Sequence, residues 1–219
     1  MARNPNPNPS TTCLLLLFIF PSLILAVYPS FQKDATTNAS DFIRTSCSAT
    51  LYPVRCCATL ARYSNAIQQS PSQLAVVAVS VSLRRARRAA SYISSLCQGP
   101  INSSNPSAAA ALRDCDSTFG DAIDQMKQSL AELHQLKTGE EFQWQMSNVE
   151  TWMSAALTNE DTCTDGFEEL PAGDVKEDVC GRVARVKELT SNALALVNSL
   201  ASKQRSSPSH AVDPNGRGF

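Results

Sequence analysis

Residues 108–167 read AAAALRDCDSTFGDAIDQMKQSLAELHQLKTGEEFQWQMSNVETWMSAALTNEDTCTDGF, and this stretch decides the fold. Apolar residues recur at Leu112, Cys115, Phe119, Ile123, Met126, Leu130 and Leu133. They recur again at Phe142, Met146, Val149, Met153, Leu157 and Cys163. Steps of three and four are the helical period, so each run makes one apolar stripe. Between the runs, Lys137-Thr138-Gly139-Glu140 is a short polar break carrying the glycine that helix ends favour. The stretch is predicted to be two long antiparallel helices. Cys115 lies 24 residues before Gly139 and Cys163 lies 24 after it, so a hairpin brings the two cysteines to the same height. A disulfide there closes a loop worth roughly 4 kcal/mol on the chain-entropy model.

Working outward, a helix is expected over 73–97, with Val76, Val79, Leu83, Ala86, Ala90, Ile93 and Cys97 on its stripe. Many of these residues are small, which lets a neighbour approach closely. A last helix is expected over 175–201, with Val179, Val183, Val186, Ala193, Val197 and Leu200 on its stripe. Upstream, residues 41–67 form a unit of their own. Phe42 and Ile43 begin a short helix, and Tyr52-Pro53 breaks it, because the residue before proline avoids the α region. Pro53 then suits the first turn of a second helix over 54–67. Cys47 and Cys56 flank the turn, and a bond between them closes a small helical hairpin, worth roughly 2–3 kcal/mol. The predicted fold class is all-α: an up-down-up-down four-helix bundle over 71–201, preceded by this disulfide-closed hairpin. Residues 27–40 read as a flexible leader and 202–219 as a disordered tail.

The N-terminus speaks to compartment. Arg3 precedes an apolar stretch from Cys13 to Leu25, and Ala26 is a small residue suited to a cleavage site. Residues 1–26 are expected to be a secretory signal peptide; Pro21 and the short apolar run disfavour a membrane anchor. Secretion makes disulfides expected. The mature chain keeps seven cysteines, 47, 56, 57, 97, 115, 163 and 180, an odd count. Asn38-Ala39-Ser40 and Asn102-Ser103-Ser104 are glycosylation sequons expected in loops. A formal net charge of −1 and a pI near 6.1 give no polyelectrolyte signature, which argues against bulk nucleic-acid binding.

Two motifs carry a resemblance. Asp41-Phe42-Ile43-Arg44-Thr45-Ser46-Cys47, with Thr50-Leu51-Tyr52-Pro53 and Cys56, resembles the N-terminal signature of the plant invertase and pectin methylesterase inhibitor family. Residues 157–167, from Leu157 through Thr158, Asn159, Glu160 and Asp161 to Phe167, resemble that family's other strong motif. The resemblance covers 41–201. It implies an extracellular helical bundle with two disulfides, first to second and third to fourth cysteine; carried over, these are Cys47–Cys56 and Cys115–Cys163. Cys57 and Cys97 are additions to the family pattern, and Cys180 resembles its usual unpaired cysteine. Helix arithmetic separates Cys57 from Cys97 by about 20 Å in height if their helices lie side by side, so the pairing of Cys57, Cys97 and Cys180 stays open.

No catalytic constellation appears. The two histidines, His134 and His210, make neither a zinc pattern nor a triad, and no phosphate loop or Gly-x-Ser-x-Gly is present. No cofactor or metal is expected. Arg84-Arg85-Ala86-Arg87-Arg88 is the loudest charge cluster. It reads as a solvated helix face, or more sharply as a contact for acidic pectin or an acidic partner. Trp144 and Trp152 lie off the main stripe and are expected to pack at the core or rim, the alternative being that they face a partner, since interfaces enrich tryptophan. Asp121 and Asp124 stand three apart, on one helical face, and Asp165 follows the cysteine that a disulfide ties back to that helix pair. In the family, polar and acidic residues at matching helix-surface positions contact the target enzyme. The resemblance therefore points to Asp121, Asp124, Thr162 and Asp165 as partner contacts. The competing reading is a solvated face.

The function the resemblance implies is a secreted inhibitor that binds pectin methylesterase one to one, blocks its cleft and so regulates pectin methylesterification in the cell wall. An inhibitor of acid invertase is the alternative, disfavoured because the Pro-Lys-Phe motif of invertase inhibitors is absent. A secreted lipid carrier is remote. Cys56-Cys57 resembles the Cys-Cys pair of plant lipid-transfer proteins, but those need eight mature cysteines and a Cys-x-Cys. A pectin methylesterase whose pro-region looks like this domain is a third class; the chain carries no catalytic domain, so no methanol release from pectin is expected. The hairpin arithmetic also makes a stability prediction. Cys115→Ala lowers unfolding free energy by about 2–5 kcal/mol. Denaturant titration checks the loss, and peptide mapping without reductant that finds either thiol free removes its basis.

Overall fold

The computed structural model describes residues 28–99 and 105–206, and all regular structure among them is helical. The helices are α1 (Tyr28–Cys47), α2 (Pro53–Leu60), α3 (Ser64–Ile67), α4 (Pro71–Cys97), α5 (Pro106–Leu133), α6 (Glu140–Asp165) and α7 (Asp174–Ser206). The expected signal peptide, most of the expected tail, Asn102 and His210 lie outside the described residues.

Local chemistry sets the ends of the long helices. Ser70 caps α4 by accepting the Gln73 N–H at 3.3 Å, and Asn105 caps α5 by accepting the Ala108 N–H at 3.0 Å. Pro71 and Pro106 follow these caps, where a missing N–H costs nothing. Gly139 enters α6 at φ +71°, a conformation that an L side chain resists. Gln145 fixes the same turn: it accepts the Lys137 N–H at 2.8 Å and donates to the Gln135 carbonyl at 3.0 Å. Before α7, Lys176 Nζ donates to the carbonyls of Glu168 and Leu170 at 2.9 and 2.7 Å.

Helices α4 to α7 pack in a ring, each against the next and α7 back against α4, the arrangement of an up-down-up-down bundle. Phe119, Phe167, Ile93, Leu112, Met126, Met146 and Met153 are fully buried at its centre. Cys115 is bonded to Cys163 across α5 and α6, with Cα atoms 4.0 Å apart, and Cys47 is bonded to Cys56 with Cα atoms 5.5 Å apart. Cys57, Cys97 and Cys180 stand outside both disulfides, each half-buried.

The hairpin is clamped to the bundle by one amide. Asn192 on α7, only 3% exposed, accepts the Tyr52 N–H at 3.0 Å and donates to the Tyr52 carbonyl at 3.0 Å. Arg55 pairs with Glu188 beside it.

Several boundaries differ from the sequence reading. The expected leader is helical from Tyr28, continuous with the helix read from Phe42, whose buried line is Ala39, Ile43 and Cys47. Asn38 is therefore exposed on a helix rather than in a loop. The helix expected over 54–67 is split by a 3₁₀ turn at Ala61–Tyr63. The start of the expected tail is helical to Ser206, where Lys203 and Arg205 complement the helix dipole and Arg205 reaches Glu150 at 3.8 Å. On α6 the buried line runs Met153, Ala156, Glu160, Cys163, so Leu157 is only half-buried. Trp144 is 70% exposed instead of packed, while Trp152 is half-buried.

The clamp makes Asn192→Ala costly, because it strands a backbone donor and acceptor at Tyr52. A loss of about 1–3 kcal/mol in chemical denaturation is expected. Asn192→Asp should not recover it, because it sets a buried carboxylate oxygen against the Tyr52 carbonyl; an alanine variant as stable as the parent would show the clamp to be idle.

Candidate functional site

Helices α5 and α6 carry the acidic residues singled out above. Two links set their register: the Cys115–Cys163 bond, and Asn159 Nδ2 donating to Gln125 Oε1 at 3.0 Å. With that register Asp121 lies near the height of Asn159, and Thr162 near that of Phe119. Asp121, Asp124, Thr162 and Asp165 are all exposed. Asp124 is paired with Lys127 at 2.8 Å; both groups are largely exposed, so the pair adds little stability. Among the described residues the carboxylates of Asp121 and Asp165 make no ion pair. The Thr162 hydroxyl donates to the Thr158 carbonyl at 3.0 Å.

That hydroxyl belongs to a row the sequence reading missed. Ser147, Thr151, Ser154, Thr158 and Thr162 are all exposed at helical spacing on α6. The last four donate back to carbonyls four residues earlier. The row was legible in the three-four spacing but not as a charge or motif. It gives this side of the bundle a polar, largely uncharged strip between the acidic residues and exposed Trp144.

Glu160, next to this face, points the other way. It is fully buried, and its Oε1 accepts the Thr190 hydroxyl at 2.8 Å while Oε2 has no hydrogen-bond partner. Burial pushes its carboxyl up to about 8, opposed by the Thr190 hydrogen bond and by Lys187, and assisted by Asp161. Lys187 pairs with Asp161 directly above. The sequence did signal this burial, since Glu160 falls on the line of Met153, Ala156 and Cys163.

Among the described residues no group of three or more His, Cys, Asp or Glu could hold a metal ion, and no helix is long and apolar enough to cross a membrane. His134 is exposed at the end of α5. These features define a class: a disulfide-closed helical bundle that presents a polar surface.

Comparison with known proteins sharpens the class to a family. The sequence profile of the plant invertase/pectin methylesterase inhibitor family matches residues 41–196. A 21 kDa protein of Daucus carota is 41% identical over 170 residues, covering 76% of this chain and 87% of that protein. Pectinesterase inhibitor 9 of Arabidopsis thaliana is 38% identical over 194 residues, covering 85% of this chain and 95% of the relative. The crystal structure of a mutant form of a pectin methylesterase inhibitor from Arabidopsis shares the fold with a TM-score of 0.57 at 24% identity, over 69% of this chain and 92% of that one. The chain belongs to the plant invertase/pectin methylesterase inhibitor family.

Glu160 generates a pH prediction. A carboxyl whose folded value lies above its ordinary 4.5 binds its proton more tightly folded than unfolded. The stability it contributes is complete below about 4.5, declines as pH rises toward about 8, and is flat above. Each pH unit of that displacement corresponds to about 1.4 kcal/mol. Denaturant melts across this range should show the decline in the parent and a much shallower one in Glu160→Gln. An equally steep decline in the glutamine variant rules out Glu160 as its source.

Proposed function

We propose that this protein is a secreted inhibitor of pectin methylesterase, acting in the cell wall as a one-to-one complex that covers the enzyme's pectin-binding cleft. Family membership and the relatives named as pectinesterase inhibitors support the reading. The observation that carries the choice of surface is the set of exposed polar residues on the bonded pair α5 and α6: Asp121, Asp124, Thr162 and Asp165, with no ion pair at Asp121 or Asp165 among the described residues. A cleft shaped for a polyanionic galacturonan is expected to offer basic and aromatic groups. Carboxylates held on two disulfide-bonded helices match that charge, while a folded bundle is too bulky to be processed. The absence of Pro-Lys-Phe disfavours acid invertase as target. The apolar stretch before Ala26 supports export, and no methanol release from pectin is expected of the protein itself.

Complementary charge acts chiefly on the association rate, so the prediction is kinetic. Asp121→Ala/Asp124→Ala should keep its circular dichroism spectrum and bind pectin methylesterase more slowly, with a weaker dependence on salt. Acid invertase serves as the second target in the same titration. A folded double variant that inhibits with parental rate and salt slope places the contact elsewhere on the bundle.

A further inference from the structure

The side of the ring opposite α5 and α6 is basic. Arg55, Arg85, Arg88, Arg182 and Arg185 line a cleft of about 220 Å³ between α2, α4 and α7, floored by Ala89, Val186 and Leu189. Two of these charges are matched. Arg55 pairs with Glu188, and Arg182 donates from Nε to Asp178 at 3.0 Å while its guanidinium lies 3.9 Å from the centre of the Tyr92 ring. Tyr92 and Arg182 together hold the Asp178 carboxyl below its ordinary range, so this acid is already engaged within the protein. Among the described residues Arg85, Arg88 and Arg185 form no ion pair, and all three are exposed. The cleft therefore carries three guanidinium groups outside any ion pair around a small apolar floor, with Arg185 also within electrostatic reach of Asp178. Arg88 also lines a second, more open groove with Arg84 and Arg87, which continues the positive surface around α4.

We infer that this cleft binds a polyuronate chain, a polysaccharide bearing one free carboxylate per sugar, at a site separate from the acidic face. The guanidinium fork pairs with a carboxylate through two parallel hydrogen bonds, a geometry lysine cannot offer. Arg85 and Arg88 are one helical step apart, about 4.5 Å in rise, close to the length of one sugar ring. Ala89, Val186 and Leu189 supply an apolar floor suited to the carbon face of a sugar and poorly suited to a second charge. The choice of a uronate over other polyanions rests on the proposed function. Hydrolysis of pectin methyl esters leaves free uronate carboxylates, so a protein acting on that reaction meets this polymer where it works. Binding it on one side would hold the inhibitor on de-esterified pectin while the other side remains open to enzyme.

The test is retention on immobilised polygalacturonate, measured without any enzyme present, with fully methyl-esterified pectin, heparin and duplex DNA as parallel matrices. The parent protein should be retained by polygalacturonate, be released by salt, and pass through the esterified matrix. Arg85→Glu/Arg88→Glu/Arg185→Glu should keep the parental melting curve and pectin methylesterase inhibition but bind polygalacturonate at least about tenfold more weakly. Arg→Lys at the three positions keeps the charge and should still lose part of the affinity. Undiminished retention of the glutamate variant overturns the site. Equal or stronger retention by heparin or DNA overturns the uronate assignment and leaves a general anion-exchange surface. Because no enzyme is in the assay, a protein that fails to inhibit but is still retained refutes only the proposed inhibition.

Discussion

The Cys115–Cys163 bond is the constraint on which the rest of the bundle depends. It fixes the relative height of α5 and α6, and with that the register of every pair across their seam, including Gln125 with Asn159. Once α5 and α6 are a unit, α4 and α7 have one apolar groove to close against, and the ring follows from the burial of Ile93, Val79, Val183 and Val197. The bond also stands at the edge of the acidic face, so the geometry of that face is set by a covalent link rather than by surface ion pairs, which are weak.

The hairpin depends on a different kind of interaction. Its own disulfide closes the turn, but it is Asn192 that orients the turn on the bundle, by satisfying both backbone groups of one residue. Buried amides are costly to leave unpaired, so such a clamp has few alternative arrangements. Nearby Arg55, carried by the hairpin, completes the basic cleft with arginines from α4 and α7. The hairpin's docking therefore contributes to a surface as well as to stability.

The formal charge of −1 conceals a polarised molecule. Carboxylates and hydroxyls collect on the α5–α6 side and guanidinium groups on the α4–α7 side, with the core between them. Two oppositely charged sides on one small bundle can meet two partners of opposite sign without competing for the same surface. Glu160 lies inside this arrangement, close to the Asp161–Lys187 pair that spans α6 and α7. Burying it neutral at low pH is cheap and burying it ionised is expensive, which ties the packing of α6 on α7 to proton activity.

The sequence by itself determined what is periodic or evenly spaced. The heptad-like stripes established four long helices, Gly139 established the turn between two of them, and equal distances from that turn set Cys115 opposite Cys163. A short-range signal set the break at Pro53. The i, i+3 step put Asp121 and Asp124 on one exposed face, because surface exposure repeats with the helix. Only the tertiary structure decided what depends on the relation between helices. Arg85 and Arg88 lie nearly a hundred residues from Arg182 and Arg185, and nothing local says that they share a cleft. Asn192 and Tyr52 are 140 positions apart, so their pairing is invisible to any helical period. The exposure of Trp144 was decided there too: a stripe gives the direction in which a side chain points, and the neighbouring helix decides whether anything covers it.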